Sequence, residues 1–428
     1  MPALSPALPS GSTGWQHRYS IVALFFLATV LCYVDRVSIS VAIIPLAHQL
    51  GYDSAAQGVI LSAFFWGYIW PQLPGGWLAD RFGGRRVLAT GVAIWSLATF
   101  LTPLAARVSF SLLLAVRVLL GLGEGVNFPS IHSLAARWTL RAERARVISL
   151  NFSGMYLGTV IAFIVSPLII VKFGWPALFY ISGSAGALWV AAWMFKAADR
   201  PENAASISAD ELSRIVNDRS AAPRALTVPW AQIGRERAVW AIVLAHFCSN
   251  FGFNILLLWL PTYLTHTFHV ALGKVGGYAL VPWIATFATA NAGGWIADLM
   301  LRRGFRVATV RKTLQSAAFA LGALPLLVLP AAASPWSAIA LITFSAAFSS
   351  LGTSAFGVNH LDVGPTYAGV LMGISNTAAT VPGIIGVAAA GFILQATASF
   401  TAVFYLIAAV YLVGMVGYLT WASGEQKI

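Results

Sequence analysis

Gly75 to Arg86 reads GGWLADRFGGRR, and Gly293 to Gly304 reads GGWIADLMLRRG. The second stretch begins 218 residues after the first, about half the length of the 428-residue chain. Recurrence at a fixed spacing is the mark of a duplicated unit. In the first copy, paired glycines let helices approach closely, Asp80 follows, and arginines close the stretch. Asp80, Arg81 and Arg85, with Asp298 in the second copy, are read as a gating latch on a loop between two spans. Asp80 is placed to pair with cationic loop residues. A plain cationic loop, with Arg85 and Arg86 there for topology alone, accounts for the stretch about as well.

Working outward, the solvent of the chain is a bilayer. Hydrophobic residues make up 58% and charged residues 9%, whereas a soluble surface is roughly a quarter charged. A helix needs ~20 apolar residues to cross a ~30 Å hydrocarbon core. Charge-free runs of that kind lie at 54–79, 87–106, 147–171, 173–195 and 275–297. Two longer runs, 313–361 and 363–424, each require one reversal, at Pro330 to Pro335 and at Gln395 to Ser399. With the less clean segments 19–45, 108–131 and 238–262, the expectation is an all-α membrane protein of twelve transmembrane helices. The longest polar stretch, 197–237, divides them into two six-helix, pseudo-symmetric bundles at 19–196 and 238–421. Tails of 1–18 and 422–428 flank them. Duplicated halves of this kind hold substrate near the midplane between them.

The formal charge is +12, but its distribution argues for topology and against nucleic acid. If both termini are cytoplasmic, only Arg107, Lys172 and Lys274 lie outside. Arg36 and Arg117 lie within the membrane, and every other Lys and Arg falls on the inner side. The two cysteines, Cys32 and Cys248, sit in predicted spans and indicate neither a disulfide framework nor a metal cluster. The first 17 residues contain no arginine, so a cell (inner) membrane is expected, with a multi-pass, monomeric protein in it. No nucleophile elbow, HExxH pair or aspartate dyad is present, so no enzyme is expected. No cofactor or metal is expected either. A non-transporting anion sensor is the reading from a different class; it normally carries a signalling domain.

Asp35, Arg36, Arg117 and Glu124 are charges within the spans. Each costs ~2.5–3.5 kcal/mol at bilayer centre, which makes it a functional candidate. At ~1.5 Å per residue, Asp35 and Arg36 lie ~26 Å beyond Arg18, and Arg117 lies ~15 Å inward of Arg107. Asp35 and Arg117 thus reach similar depth. Tyr33 and Arg36, three apart, share a helix face, whereas Asp35 points about 100° away. The fixed guanidinium fork of Arg36 suits a carboxylate or phosphate, with the Tyr33 hydroxyl beside it. Glu124 lies seven residues from Arg117 on the same stripe, among Gly121, Gly123 and Gly125. A carboxyl there can take and release a proton as a cavity opens, and is the expected coupling residue. The competing reading is a closed neutral network that only holds helices together. Tyr68, Tyr156, Ser375 and Asn376 are further cavity candidates, with Phe65, Trp66, Asn250, Asn254 and Tyr263 weaker; helix packing is an equal explanation for each.

GGWLADRFGGRR resembles the cytoplasmic loop signature of the major facilitator superfamily, with one extra glycine. More narrowly the chain is similar to the anion-cation symporter family, in the branch of sialin, vesicular glutamate transporters and plant plastid phosphate or anion transporters. The resemblance rests on YVDRVSISVAI from Tyr33, FFWGYIWPQLPGGWLAD from Phe64, RVLLGLGEGVNFPSIHS from Arg117, SGMYLG from Ser153, VRKTLQS from Val310 and VNHLDVGPTYAGVLMGISNT from Val358. It implies a small anionic substrate (a sugar acid, carboxylate or phosphate) moved with protons by alternating access, sodium-coupled phosphate transport being the rival. It further implies that Tyr33 and Arg36 contact substrate, that Asp35 and Glu124 carry protons, and that Arg117 pairs with Asp35. Leu61 and Ser249 stand where the vesicular glutamate branch has a histidine and an arginine, which counts against glutamate.

Overall fold

A computed structural model of the protein describes residues 16–72, 74–204, 206–218 and 228–428, and describes only the backbone at Arg141, Ala142 and Ala145. Most of the expected N-terminal tail, and part of the linker, lie outside the described residues.

Seventeen α-helices occur among the described residues: α1 (His17–Leu50), α2 (Ser54–Tyr68), α3 (Pro74–Phe82), α4 (Gly84–Val108), α5 (Phe110–Gly125), α6 (Asn127–Trp138), α7 (Arg141–Phe173), α8 (Trp175–Lys196), α9 (Ala209–Asn217), α10 (Trp230–Arg235), α11 (Arg237–Phe268), α12 (Leu272–Arg302), α13 (Val307–Val328), α14 (Pro335–Ser349), α15 (Phe356–Val363), α16 (Ala368–Thr397) and α17 (Thr401–Trp421). The reversals expected near Pro330 and near Gln395 to Ser399 fall between α13 and α14 and between α16 and α17. Short polar side chains cap the starts of α2 and α5: Asp53 accepts from the Ala56 N–H and Ser109 from the Leu112 N–H.

Ten helical segments among the described residues are long and apolar enough to cross a membrane. The other two expected crossings are of a different kind. The run 54–79 divides into α2, a 3₁₀ turn at Trp70–Gln72 and α3, since Pro71 and Pro74 cannot donate to the preceding turn. The run 275–297 is one long helix, α12, diluted by Gly276, Gly277, Gly293, Gly294 and Asn291.

Helices α1, α2, α4, α5, α7 and α8 pack among themselves, as do α11, α12, α13, α14, α16 and α17. The main contacts joining the sets are α2 with α16, α7 with α12, and α1 with α11, and the Trp70–Gln72 turn also meets α16. Far from the linker, α2 and α16 meet backbone to backbone, the Cβ that Gly58 lacks being placed 3.0 Å from the Gly391 Cα and the Ala388 carbonyl. The Ser54 N–H donates to Gln395 Oε1 there at 3.1 Å. On the other flank of α2, a Cβ on Gly67 or Gly121 would strike the backbone of the facing helix. Close approach through glycine therefore fixes α2 between α5 and α16.

Candidate functional site

Helix α1 carries Cys32, Tyr33, Asp35 and Arg36, all buried. Cys32 and Arg36 are four apart and Tyr33 and Arg36 three apart, so these three face one way while Asp35 faces another. Arg36 Nη2 donates to Glu124 Oε2 at 2.8 Å and Arg36 Nε donates to the same oxygen at 3.1 Å. The Cys32 thiol donates to that oxygen as well, at 3.1 Å. Glu124 is wholly enclosed and Arg36 is 8% exposed. The guanidinium lies 4.7 Å from the Tyr33 ring centre, 4.7 Å from Phe64 and 4.5 Å from Tyr68. Its Nη1 donates to the Tyr33 hydroxyl at 3.4 Å. Three aromatic faces and one carboxylate thus hold a single cation, each face contributing ~0.5–2 kcal/mol.

Asp35 turns to the opposite side, among the Thr99 hydroxyl of α4 and the Ser182 hydroxyl of α8. Arg117 lies near enough to interact with it electrostatically, but no ion pair joins the two. The direct pairing implied by family resemblance is not formed, and Asp35 Oδ1 has no hydrogen-bond partner among the described residues. Arg117 Nε and Nη1 have no hydrogen-bond partner among the described residues, and Phe64 stands 5.8 Å from its guanidinium. Of the four intramembrane charges, one pair closes, Arg36 with Glu124. The open fork expected of Arg36 is instead occupied by that carboxylate.

The weaker candidates divide. Tyr68 belongs to the cage around Arg36. Asn376 of α16 donates to Gln72 Oε1 across the two sets of helices. Tyr156 packs edge-on against Phe287 where α7 meets α12. Ser375 is fully buried between His360 Nε2, at 2.8 Å, and His246 Nδ1, at 3.2 Å, so it ties α11, α15 and α16 together. Phe65 abuts Gly383 of α16. Trp66 is 55% exposed on the outer surface. Tyr263 sits in an aromatic cluster with Phe400 and Phe404. Asn250 bonds its own helix at the His246 carbonyl, and Asn254 is buried in α11.

At the loop signature, Asp80 Oδ1 accepts from Ser133 Oγ at 2.6 Å and from Arg137 Nη2 at 3.0 Å, joining α3 to α6. The Arg85 N–H donates to Asp199 of the linker at 2.8 Å, and its guanidinium to the Met194 carbonyl. Arg81 lies over Trp77 and Phe82. Asp298 in the second copy is exposed. The linker is also tied down through Glu211 of α9, which accepts from the His17 and Arg18 N–H groups at 3.0 Å each.

The sequence reading missed Phe64, Gln72 and Cys32. A signal was present for all three. Phe64 and Tyr68 are four apart on α2, Gln72 follows four residues later in the Trp70–Gln72 turn, and Cys32 lies one turn before Arg36.

Residues 25–387 match the model of the Major Facilitator Superfamily. The chain is 40% identical over 422 residues to the ascorbate transporter, chloroplastic, of Arabidopsis thaliana, covering 98% of this chain and 78% of that protein. It is 41% identical over 411 residues to the sodium-dependent phosphate transport protein 1, chloroplastic, of the same plant, covering 96% and 80%. Among solved structures, the D-xylose-proton symporter superposes with a TM-score of 0.77 at 14% identity, covering 96% of this chain and 99% of that one. This chain belongs to the Major Facilitator Superfamily of membrane transporters. The resemblance to plastid anion transporters stands on both halves of the sequence.

Proposed function

We propose that this chain is a proton-coupled symporter for a small organic or inorganic anion, working by alternating access. The observation that supports it most is that Arg36 places two donors on one oxygen of Glu124. A substrate carboxylate or phosphate and the Glu124 carboxylate compete for that fork. A proton arriving at Glu124 removes its charge and releases the guanidinium to the anion, so anion and proton load together. Tyr33 and Tyr68 orient the guanidinium, and Asp35, next to Arg117, is the second proton carrier.

The relatives named for ascorbate and phosphate support an anion at this fork. The distribution of Lys and Arg supports two six-helix bundles of a twelve-span protein with both termini cytoplasmic, and 197–237 as the cytoplasmic linker. We assign it to a cell inner membrane as a monomer; membrane fractionation tests the first and sizing in detergent the second.

The test is uptake of ascorbate, sugar acids and phosphate into proteoliposomes under an imposed proton gradient. Arg36→Ala is expected to abolish uptake. Glu124→Gln is expected to lose gradient-driven accumulation while counterflow exchange survives. Accumulation by Glu124→Gln that still follows the gradient would overturn the coupling role. Sodium-coupled phosphate uptake is the second reading, favoured by the sodium-dependent relative; replacing sodium with choline at fixed pH separates the two.

A further inference from the structure

The tail at 422–428 folds back onto the second set of helices. The Lys427 and Ile428 N–H groups both donate to the Val363 carbonyl, at 2.8 and 3.0 Å. Val363 ends α15, and the last carbonyls of a helix have no partner within it, so the tail supplies the cap from outside. Gln232 of linker helix α10 donates to the Lys427 carbonyl at 2.9 Å. The Ile428 side chain packs on the apolar cluster of Ile233, Val363 and Leu371. Nearer the start of the tail, a Cβ on Gly424 would strike the Ala308 backbone at the head of α13. In the amide orientation that satisfies its neighbours, Asn359 of α15 accepts from the Tyr418 hydroxyl at 2.8 Å and donates to the Ser423 carbonyl at 2.9 Å. Residues 423–428 thus tie α10, α13 and α15 together.

Helix α15 in turn holds α16. His360, three residues before Val363, bonds Ser375 of α16 at 2.8 Å. The residue after Ser375 is Asn376, which donates to Gln72 on the other set of helices.

That contact ends a longer seam. Along it Ser54 meets Gln395, Gly58 meets Gly391, Phe65 meets Gly383 and Gln72 meets Asn376, so α2 and its 3₁₀ turn run antiparallel to α16 in step. The two ends are closed differently. Far from the linker, backbone lies against backbone, an approach that glycine permits. At the linker end the closure is a side-chain amide bond, and Gln72 Nε2 has no hydrogen-bond partner among the described residues. One such bond shifts an equilibrium about 2- to 10-fold. The linker end therefore responds to small changes in the position of α16.

We propose that residues 423–428 are a strap that positions α15 and, through His360 and Ser375, holds Asn376 against Gln72. The strap thereby sets how readily the linker end of the seam opens. The tail and Gln72 both bias one two-state element, the seam, through an unbroken chain of contacts. The consequence for transport rests on the alternating-access reading; the positioning of Asn376 does not.

The experiment measures the distance between spin labels on Arg86→Cys of α4 and Gly369→Cys of α16 in the full chain. Both positions are exposed, and Cys32 and Cys248 are buried. Lys427→Pro deletes one of the two N–H groups on Val363, and Ile428→Asp places a charge in the apolar cluster; Lys427→Pro serves if Ile428→Asp does not fold. Each is expected to raise the population at the longer distance about 2- to 10-fold, and Ile428→Leu to keep the parent distribution. Gln72→Ala should act as Lys427→Pro does, and the two combined should add little beyond either one. An unchanged distribution in folded Lys427→Pro overturns the strap, as do effects of Gln72→Ala and Lys427→Pro that add in full. Uptake of phosphate and ascorbate into proteoliposomes is followed on the same variants, with Vmax expected to fall and KM to hold. Longer distances in a protein whose parent takes up neither anion support the strap and count against the transport reading. Uptake by the parent with no distance response in any strap variant overturns the strap alone.

Discussion

Arg36 and Glu124, 88 residues apart in the chain, meet through two nitrogens on a single oxygen, at 2.8 and 3.1 Å. Breaking a buried pair by removing one partner costs ~3–5 kcal/mol, because the other charge is left uncompensated. Arg36→Ala should therefore melt well below the parent protein. Arg36→Ala combined with Glu124→Gln should recover much of that loss, since no charge remains stranded, yet neither protein should transport. A double variant less stable than Arg36→Ala alone would refute this account of the pair.

The cage around Arg36 makes a graded prediction. Tyr68→Phe keeps the ring at 4.5 Å and should bind phosphate or ascorbate nearly as well as the parent. Tyr68→Ala removes a contact worth ~0.5–2 kcal/mol, which is about 2- to 30-fold in affinity. Thermal shift against either anion measures both; equal losses in the two variants would mean that the hydroxyl, not the ring, matters.

Asp80 is expected to matter for movement more than for stability. Its side chain is 68% exposed in the pair with Arg137, and such pairs are worth ~0–1 kcal/mol. Asp80→Asn should leave the melting temperature almost unchanged while uptake falls several-fold. Undiminished uptake would reduce the motif to a topology signal.

Gly58 and Gly391 bring α2 and α16 together at the end far from the linker. Gly391→Leu should hold that end apart, abolishing uptake while anion binding in detergent survives. Loss of binding together with uptake would indicate a folding defect and remove the evidence for a closure at this point.

The helical class, the two chain reversals and the burial of the intramembrane charges were all legible from hydrophobic run length and from the cost of charge in lipid. Partner choice among those charges was not. Depth along a helix placed Asp35 level with Arg117, but depth carries no information on which face meets which neighbour, and Asp35 Oδ1 is buried without a hydrogen-bond partner among the described residues. Breaks within spans were also hard to read. Pro71 and Pro129 each interrupt a segment whose composition alone looks continuous, and both breaks stand beside the site. Ser375 was legible as a polar group that could line a cavity but not as the junction of His246 and His360, because spacing along the chain does not show that α11 packs against α15 and α16.

The Arg36 and Glu124 contact also constrains how the protein is made. During synthesis α1 enters the membrane carrying Asp35 and Arg36 while residue 124 is still 88 positions from being added. At ~5–20 residues per second that interval is about 4–20 s. Through it the first span has neither its carboxylate nor the aromatic cage of α2, and must remain shielded from lipid by the insertion machinery or lie near the bilayer surface. The first span therefore depends for its place in the bilayer on a segment translated seconds later, which makes the order of biogenesis part of what the buried pair specifies.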